Sequence, residues 1–297
     1  MKIFFFWLIA FLWGGSFIAI KEVVQTVPPF WAASIRLMTA LVFLLPYMKL
    51  LKKNFSIARP VWGNVVLSGL CSQGIPFALL FWGEQTVSPG LGGILNGTTP
   101  IWTFIFGMIF LRHHEPFTQK KLVGLILGIT GIFIIFFPKL QNGLGNSSTL
   151  GAIAVGIMGL SYGLGNITNK AVMVHADHPT LEGSLFWQSI TSTVFVTILA
   201  FIFEGLPSAA WFHNIKFIGA TLYMGWCSTA IAFIIYYKLI NEMGALKASA
   251  VIYLIPLTAV LLDFLFYQNI PTSFELIGAG VMLTAIFIIQ DRKFKVG

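Results

Sequence analysis

The chain has 297 residues, of which 57% are hydrophobic and only 9% charged, and its formal net charge is +8. A soluble domain carries about 25% charged residues, so a mean hydropathy of +0.86 excludes an ordinary soluble protein and makes lipid the solvent. The basic excess does not point to nucleic acid, because Lys and Arg punctuate the apolar runs instead of forming one basic face.

A helical crossing of a bilayer needs about 20 apolar residues. Taken in chain order, the sequence predicts ten such spans: 3–23, 30–50, 62–83, 91–111, 119–138, 149–171, 181–203, 215–238, 247–267 and 274–290. The first begins MKIFFFWLIAFLW and mimics a secretory signal. Its apolar stretch is too long for an h-region and lacks a clear small-residue cleavage site, so it reads as a retained first span. The loops are short, and none is able to fold alone.

Of the 18 Lys and Arg residues, fourteen fall on the side of the N-terminus. Three (Lys21, Lys139 and Lys216) fall on the other side, and Arg36 lies inside the second span. The positive-inside rule predicts a multi-pass membrane protein with both termini cytoplasmic. Cys71 and Cys227 sit within apolar runs without CxxC spacing and read as small buried residues, not as a disulfide or metal site.

The sequence echoes itself. Phe11 to Lys21 reads FLWGGSFIAIK, and Leu160 to Lys170 reads LSYGLGNITNK, an offset of 149 residues. Gly69-Leu-Cys71-Ser72 returns as Gly225-Trp-Cys227-Ser228, Phe77 as Phe233 and Pro100 as Pro256, all at 156. Leu122-Val-Gly124 returns as Leu276-Ile-Gly278 at 154. These echoes predict two copies of five spans, 1–148 and 149–297. Five is odd, so the second copy enters the membrane inverted, a recurrent plan of secondary transporters. The fold expected is an all-α polytopic membrane protein of ten transmembrane helices in two inverted five-helix repeats.

The phrases WGGSF, GTTPIW, HEPFTQKKLVGLILGITGI and NEMGALKASAVIYLIPLTAVLL resemble the EamA family of the drug/metabolite transporter superfamily over nearly the whole chain. The resemblance implies a ten-helix inner-membrane carrier of small metabolites, often an exporter of amino acids or related compounds. The chain departs from the family near Asp263, where a glycine is usual, and at Asn269, where an acid corresponding to Glu115 is usual.

Charged residues in a span are costly and point to function. Arg36 and Asp263 lie inside spans, and Glu84 and Lys21 lie at span ends, all in the predicted outer half. They suggest a charged vestibule in which Arg36 pairs with Asp263 or Glu84 and the pair rearranges during transport. The competing reading is a static salt bridge, with Lys21 and Glu84 reaching the interface. Gln188 falls nearly at the place of Arg36 in the second copy and reads as its inner-gate counterpart.

Near mid-span stand Trp13, Gln73, Trp102, Tyr162, Asn166, Trp226 and Tyr253. Aromatic walls with a few amides suit a small amphipathic solute; ordinary helix packing is the alternative. Trp13 shares a helix face with Phe17, and Tyr162 with Asn166 and Lys170, by i, i+4 spacing. Pro100 and Pro256 each remove a backbone donor near mid-span and are hinge candidates. Gly14 and Gly163 allow close helix approach. Trp7, Trp31, Trp62, Trp82 and Trp211, near span ends, read as interfacial anchors.

Enzyme chemistry has no support. All five histidines lie in loops or at span ends, and no HExxH or GxxxxGK[ST] pattern occurs. His113, His114 and Glu115 form a hairpin beside two lysines, not a metal site. No cofactor is expected, and the partners are a small-molecule substrate and the lipid bilayer; the sequence leaves the oligomeric state open, a monomer being compatible with it. The function expected is secondary transport of small organic metabolites by alternating access, with amino acids or related amphipathic solutes exported. The alternatives are a passive channel or, further off, a membrane-embedded enzyme.

Overall fold

A computed structural model describes residues 2–87, 89–114, 118–141, 149–258, 260–261 and 270–290. Lipid offers backbone groups no hydrogen-bond partner, so an apolar chain must satisfy them internally as helix. Among the described residues there is no strand. Nine helices among the described residues are long and apolar enough to cross a membrane, and a tenth apolar helix, Ala245–Thr258, is shorter. In chain order they are α1 (Lys2–Val23), α2 (Pro29–Leu50), α3 (Arg59–Gly83), α4 (Pro89–Asn96 and Thr99–Phe110) and α5 (Gln119–Gln141). They continue as α6 (Thr149–Val174), α7 (Leu181–Glu204), α8 (Ile215–Met243), α9 (Ala245–Thr258) and α10 (Ser273–Gln290). Apolar side chains such as Phe4, Val42, Ile126 and Phe203 stand exposed on the outside, as lipid contact requires.

Several helices are not regular where the sequence predicts plain spans. The echoed phrases around Cys71 and Cys227 fall on two π-helical stretches, Leu70–Gly74 in α3 and Tyr223–Ile231 in α8. The predicted fourth span is broken at Gly97-Thr98, and Pro100 sits in the first turn after the break, where a missing N–H costs nothing. Pro256 likewise follows the change from the 3₁₀ stretch Ala250–Leu254 to α-helix. Each proline therefore begins a helical segment and does not kink the middle of one. Between α8 and α9 there is a single residue, Gly244, at φ 93°, a left-handed conformation that a side chain would strain.

The helices pack in a reciprocal pattern. Helix α2 lies against α7, and α5 against α10; α3 and α4 lie against α6 as α8 and α9 lie against α1. Gly69 of α3 meets the Gln188 backbone and Gly225 of α8 meets Thr39, so close that a Cβ would stand 2.8 and 2.6 Å from its neighbours.

Contacts at the helix ends define two rims. On one, Lys2 pairs with Glu242 at 3.4 Å, Lys53 with Glu182 at 2.7 Å, and Lys247 Nζ donates to Gln290 O at 3.1 Å. Glu182 holds the Lys53 ammonium above its ordinary pKa. On the other, Glu204 Oε1 and Oε2 accept the Phe30 and Trp31 backbone N–H groups at 2.9 and 2.8 Å, and Lys216 lies 4.0 Å from Glu22. Each contact joins ends predicted on the same side; a miscounted crossing would have separated them.

Candidate functional site

A cavity of about 60 Å³ lies between the two halves of the chain, room for a few waters. Helix α1 lines it with Trp13, Ser16 and Phe17, α2 with Arg36, α3 with Ser72, Phe77 and Leu80, and α4 with Asn96 and Thr99. From the second half come Met158, Tyr162 and Asn166 of α6, Phe233 and Tyr236 of α8, and Ile252 and Ile255 of α9.

Twelve of these residues form six pairs at the spacings of the sequence echoes. Trp13 and Tyr162 are 149 apart, as are Phe17 and Asn166. Phe77 and Phe233, Leu80 and Tyr236, Asn96 and Ile252, and Thr99 and Ile255 are each 156 apart. Four of the six pairs set a polar residue in one half against an apolar one in the other.

The walls are held by specific bonds. Trp13 Nε1 donates to Ser228 O at 3.0 Å, a carbonyl of the π stretch in α8, and the Trp13 ring stands edge-on to Tyr236 with centroids 5.0 Å apart. Tyr236 Oη donates to Asn166 Oδ1 at 2.9 Å, and Asn166 Nδ2 donates to Thr103 Oγ1 at 3.0 Å. Both ends of the Asn166 amide are thus engaged by protein, and α4, α6 and α8 are tied together behind the cavity. Arg36 is buried, Nε donates to Thr229 Oγ1 at 2.8 Å, and the guanidinium lies over the Phe77 ring at 4.1 Å. Thr229 Oγ1 itself donates to Met224 O, five residues back, so the wide π turn sets the acceptor that orients Arg36.

Between the cavity and the rim of Lys53 and Glu182 runs a buried polar network. Gln188 Nε2 donates to Asn169 Oδ1 at 2.9 Å and Ser184 Oγ at 2.7 Å, and its Oε1 accepts from Tyr237 Oη. Ser72 Oγ and Tyr237 Oη share a bond of 3.1 Å, and Ser189 Oγ donates to Gln73 Oε1 at 3.0 Å.

Of the residues singled out from sequence, the structure brings Trp13, Tyr162, Asn166 and Arg36 to the cavity. Gln73 and Gln188 belong to the adjoining network. Gln188 stands 149 residues after Thr39, not after Arg36, and the same pair is touched by Gly69 and Gly225. Arg36 therefore has no counterpart at Gln188. Trp102 stacks on Phe106 and packs against Gly163; Tyr253 is fully buried against Gly128 of α5; Trp226 is 40% exposed on the outer surface beside Phe43. None of the three lines the cavity.

Glu84, the first residue beyond α3, does not pair with Arg36; its charge interacts with Lys21. Burial pushes its carboxyl up from 4.5 to about 7, against the opposing pull of Lys21. Asp263 lies outside the described residues. Ser72, Asn96, Thr99 and Tyr236 were not singled out from sequence. Tyr236 was within reach, since it follows Phe233, an echo of Phe77, by one helical turn.

The sequence matches the EamA-like transporter family over residues 1–137 and again over residues 149–290. The chain belongs to this family. It is a multi-pass membrane transporter of small molecules and not an enzyme. It is 26% identical to the uncharacterized transporter YoaV of Bacillus subtilis over 94% of this chain and 93% of that one. It is 25% identical to a probable amino-acid metabolite efflux pump of Escherichia coli, over 95% and 92%. It is also 28% identical to the protein PagO of Salmonella typhimurium, over 95% and 91%. A solved crystal structure superimposes with a TM-score of 0.77 over 97% of the transporter and 96% of that chain, a likeness of fold at 13% identity.

Proposed function

We propose that the transporter is a secondary carrier that exports small amphipathic metabolites, amino acids or their relatives, by alternating access. In this reading two inverted repeats, 1–148 and 149–297, rock about the cavity, with both termini at the cytoplasmic face of a bacterial inner membrane. The observation that carries it is the pairing of the cavity walls. Six residues of the first half and six of the second meet at the echo spacings, which a duplicated unit closing around one central site requires. The reciprocal helix packing and the double match to one family support the same duplication. The efflux pump of Escherichia coli supports the substrate class and the direction.

The size of the cavity favours a carrier over a channel. Ligand pockets run to about 300–1,000 Å³, so a cavity of about 60 Å³ must widen to admit a metabolite. Widening toward the rim of Lys53 and Glu182 opens the neutral Gln188–Tyr237 network, whereas widening toward the opposite rim moves the region around Arg36. The substrate contacts of this reading are Trp13, Tyr162 and Asn96, with Asn166 and Tyr236 as positioning residues; Trp102, Trp226 and Tyr253 leave the candidate set. Counterflow in proteoliposomes tests it. A carrier exchanges labelled for unlabelled amino acid with saturation and trans-stimulation, and flux without trans-stimulation refutes alternating access.

A further inference from the structure

Among the described residues the cavity lining holds one charge, and the repeat does not account for it. Arg36 is the sole lining residue from α2, and its relative in sequence on α7 contributes nothing to the cavity. Its side chain is 2% exposed, Nε is engaged by Thr229, and one face is covered by Phe77, while Nη1 has no hydrogen-bond partner among the described residues. An isolated buried guanidinium is costly unless an anion meets it. Acidic side chains elsewhere in the described residues are engaged: Glu22 with Lys216, Glu182 with Lys53, Glu242 with Lys2, and Glu204 with the backbone of α2. Glu84 interacts with Lys21, Glu275 accepts from Thr272 N and Oγ1, and Asp177 is exposed.

We infer that the cavity is a site for monocarboxylates, in which Arg36 Nη1 is the donor that receives the substrate carboxylate. This inference rests on the reading of the cavity as the transport site. A single cation balances a monoanion; a phosphate ester would bring a second charge, with no second lining cation among the described residues to meet it. The Arg36 fork is fixed before substrate arrives, by Thr229 on one edge and Phe77 beneath. A carboxylate therefore gains a charge-assisted bond with little ordering cost. The remainder of the solute meets paired walls of unlike polarity. Phe17 and Leu80 offer apolar surface where their partners Asn166 and Tyr236 are polar, and Ile252 and Ile255 do so opposite Asn96 and Thr99. That arrangement takes a compact body with one apolar side.

The test compares acids with their uncharged amides on the full-length transporter in lipid nanodiscs, by ligand-induced thermal stabilisation and by competition. The probes are 3-phenylpropionate against 3-phenylpropionamide and hexanoate against hexanamide, pairs nearly equal in size. The acid is expected to bind about 10- to 100-fold more tightly, the range of a buried hydrogen bond to a charged group. Arg36→Gln is expected to bring acid and amide level, and Arg36→Lys to keep part of the preference, because the charge survives without the fork. Equal binding of acid and amide by the unmodified protein overturns the inference and needs no variant. So does a preference that persists in Arg36→Gln, or failure of every acid to bind. If a neutral solute shows counterflow while no acid binds, the carrier reading stands and the carboxylate site falls.

Discussion

The bond between Tyr236 and Asn166 offers a quantitative test of the cavity wall. Tyr236 Oη donates to Asn166 Oδ1 at 2.9 Å, and both residues are buried. Asn166→Leu leaves the Tyr236 hydroxyl without its acceptor and also removes the donor to Thr103; Tyr236→Phe removes that same hydroxyl. If the bond exists in the working protein, the two changes are not additive, because the double variant no longer buries the orphaned hydroxyl. Neutral hydrogen bonds between membrane helices contribute about 0.6 kcal/mol on average and up to about 1.7 kcal/mol. The double variant is therefore expected to be more stable than the sum of the single costs by about 0.6–1.7 kcal/mol, roughly 3- to 18-fold in the unfolding equilibrium constant. The assay is SDS-induced unfolding of the purified transporter in mixed micelles for all four proteins. Additive costs, with a coupling below about 0.3 kcal/mol, refute the bond and the wall built on it.

Three further outcomes follow from the same geometry. Trp13→Leu should lower counterflow about tenfold by removing an aromatic wall worth up to about 1.5 kcal/mol, while Trp226→Leu, on the outer surface, should leave it unchanged; equal losses would place the cavity wrongly. A Cβ at Gly163 would stand 2.8 Å from Thr103 N, whereas one at Gly156 on the same helix meets nothing within 4 Å. Gly163→Val should therefore cost about 1–3 kcal/mol of stability and abolish transport, with Gly156→Ala silent in the same melting and flux assays. Because the Glu84 carboxyl rises from 4.5 unfolded to about 7 folded, its contribution to stability is full below pH 4.5 and is lost as pH rises through 7. Glu84→Gln should flatten that part of the pH–stability profile, and an unchanged slope would show that Glu84 is not buried as described.

The helical wheel reached Trp13, Tyr162 and Asn166 because α1 and α6 are regular helices, where i, i+4 spacing holds. It failed on α8. The π stretch Tyr223–Ile231 inserts wide turns, which rotate everything beyond them relative to a 3.6-residue count. Trp226, inside that stretch, stands exposed on the outer surface, while Phe233 and Tyr236, beyond it, line the cavity. Helices surrounded by lipid also carry apolar residues on every side, so periodicity does not say which face is inward. Tyr253 looked like a binding residue for that reason, although it packs against Gly128.

Composition, the spacing of apolar runs and the placement of Lys and Arg determined by themselves a ten-span membrane protein. They suffice because lipid forces uncharged helical crossings and pushes charge into the loops. The echoes at 149 and 156 residues already held the spacings at which twelve of the cavity-lining residues pair. Only the tertiary structure decided which polar groups are satisfied by protein and which, among the described residues, are not. Asn166 reads from sequence as a substrate contact and Gln188 as an inner gate, yet neighbouring helices engage the amide of each at both its oxygen and its nitrogen. Arg36 reads from sequence as a partner of Asp263 or Glu84; Asp263 lies outside the described residues, and the packing sets Glu84 beside Lys21 and leaves Arg36 Nη1 unpartnered among the described residues. Hydrogen-bond satisfaction depends on the positions of several helices at once, and no local pattern in the chain encodes it.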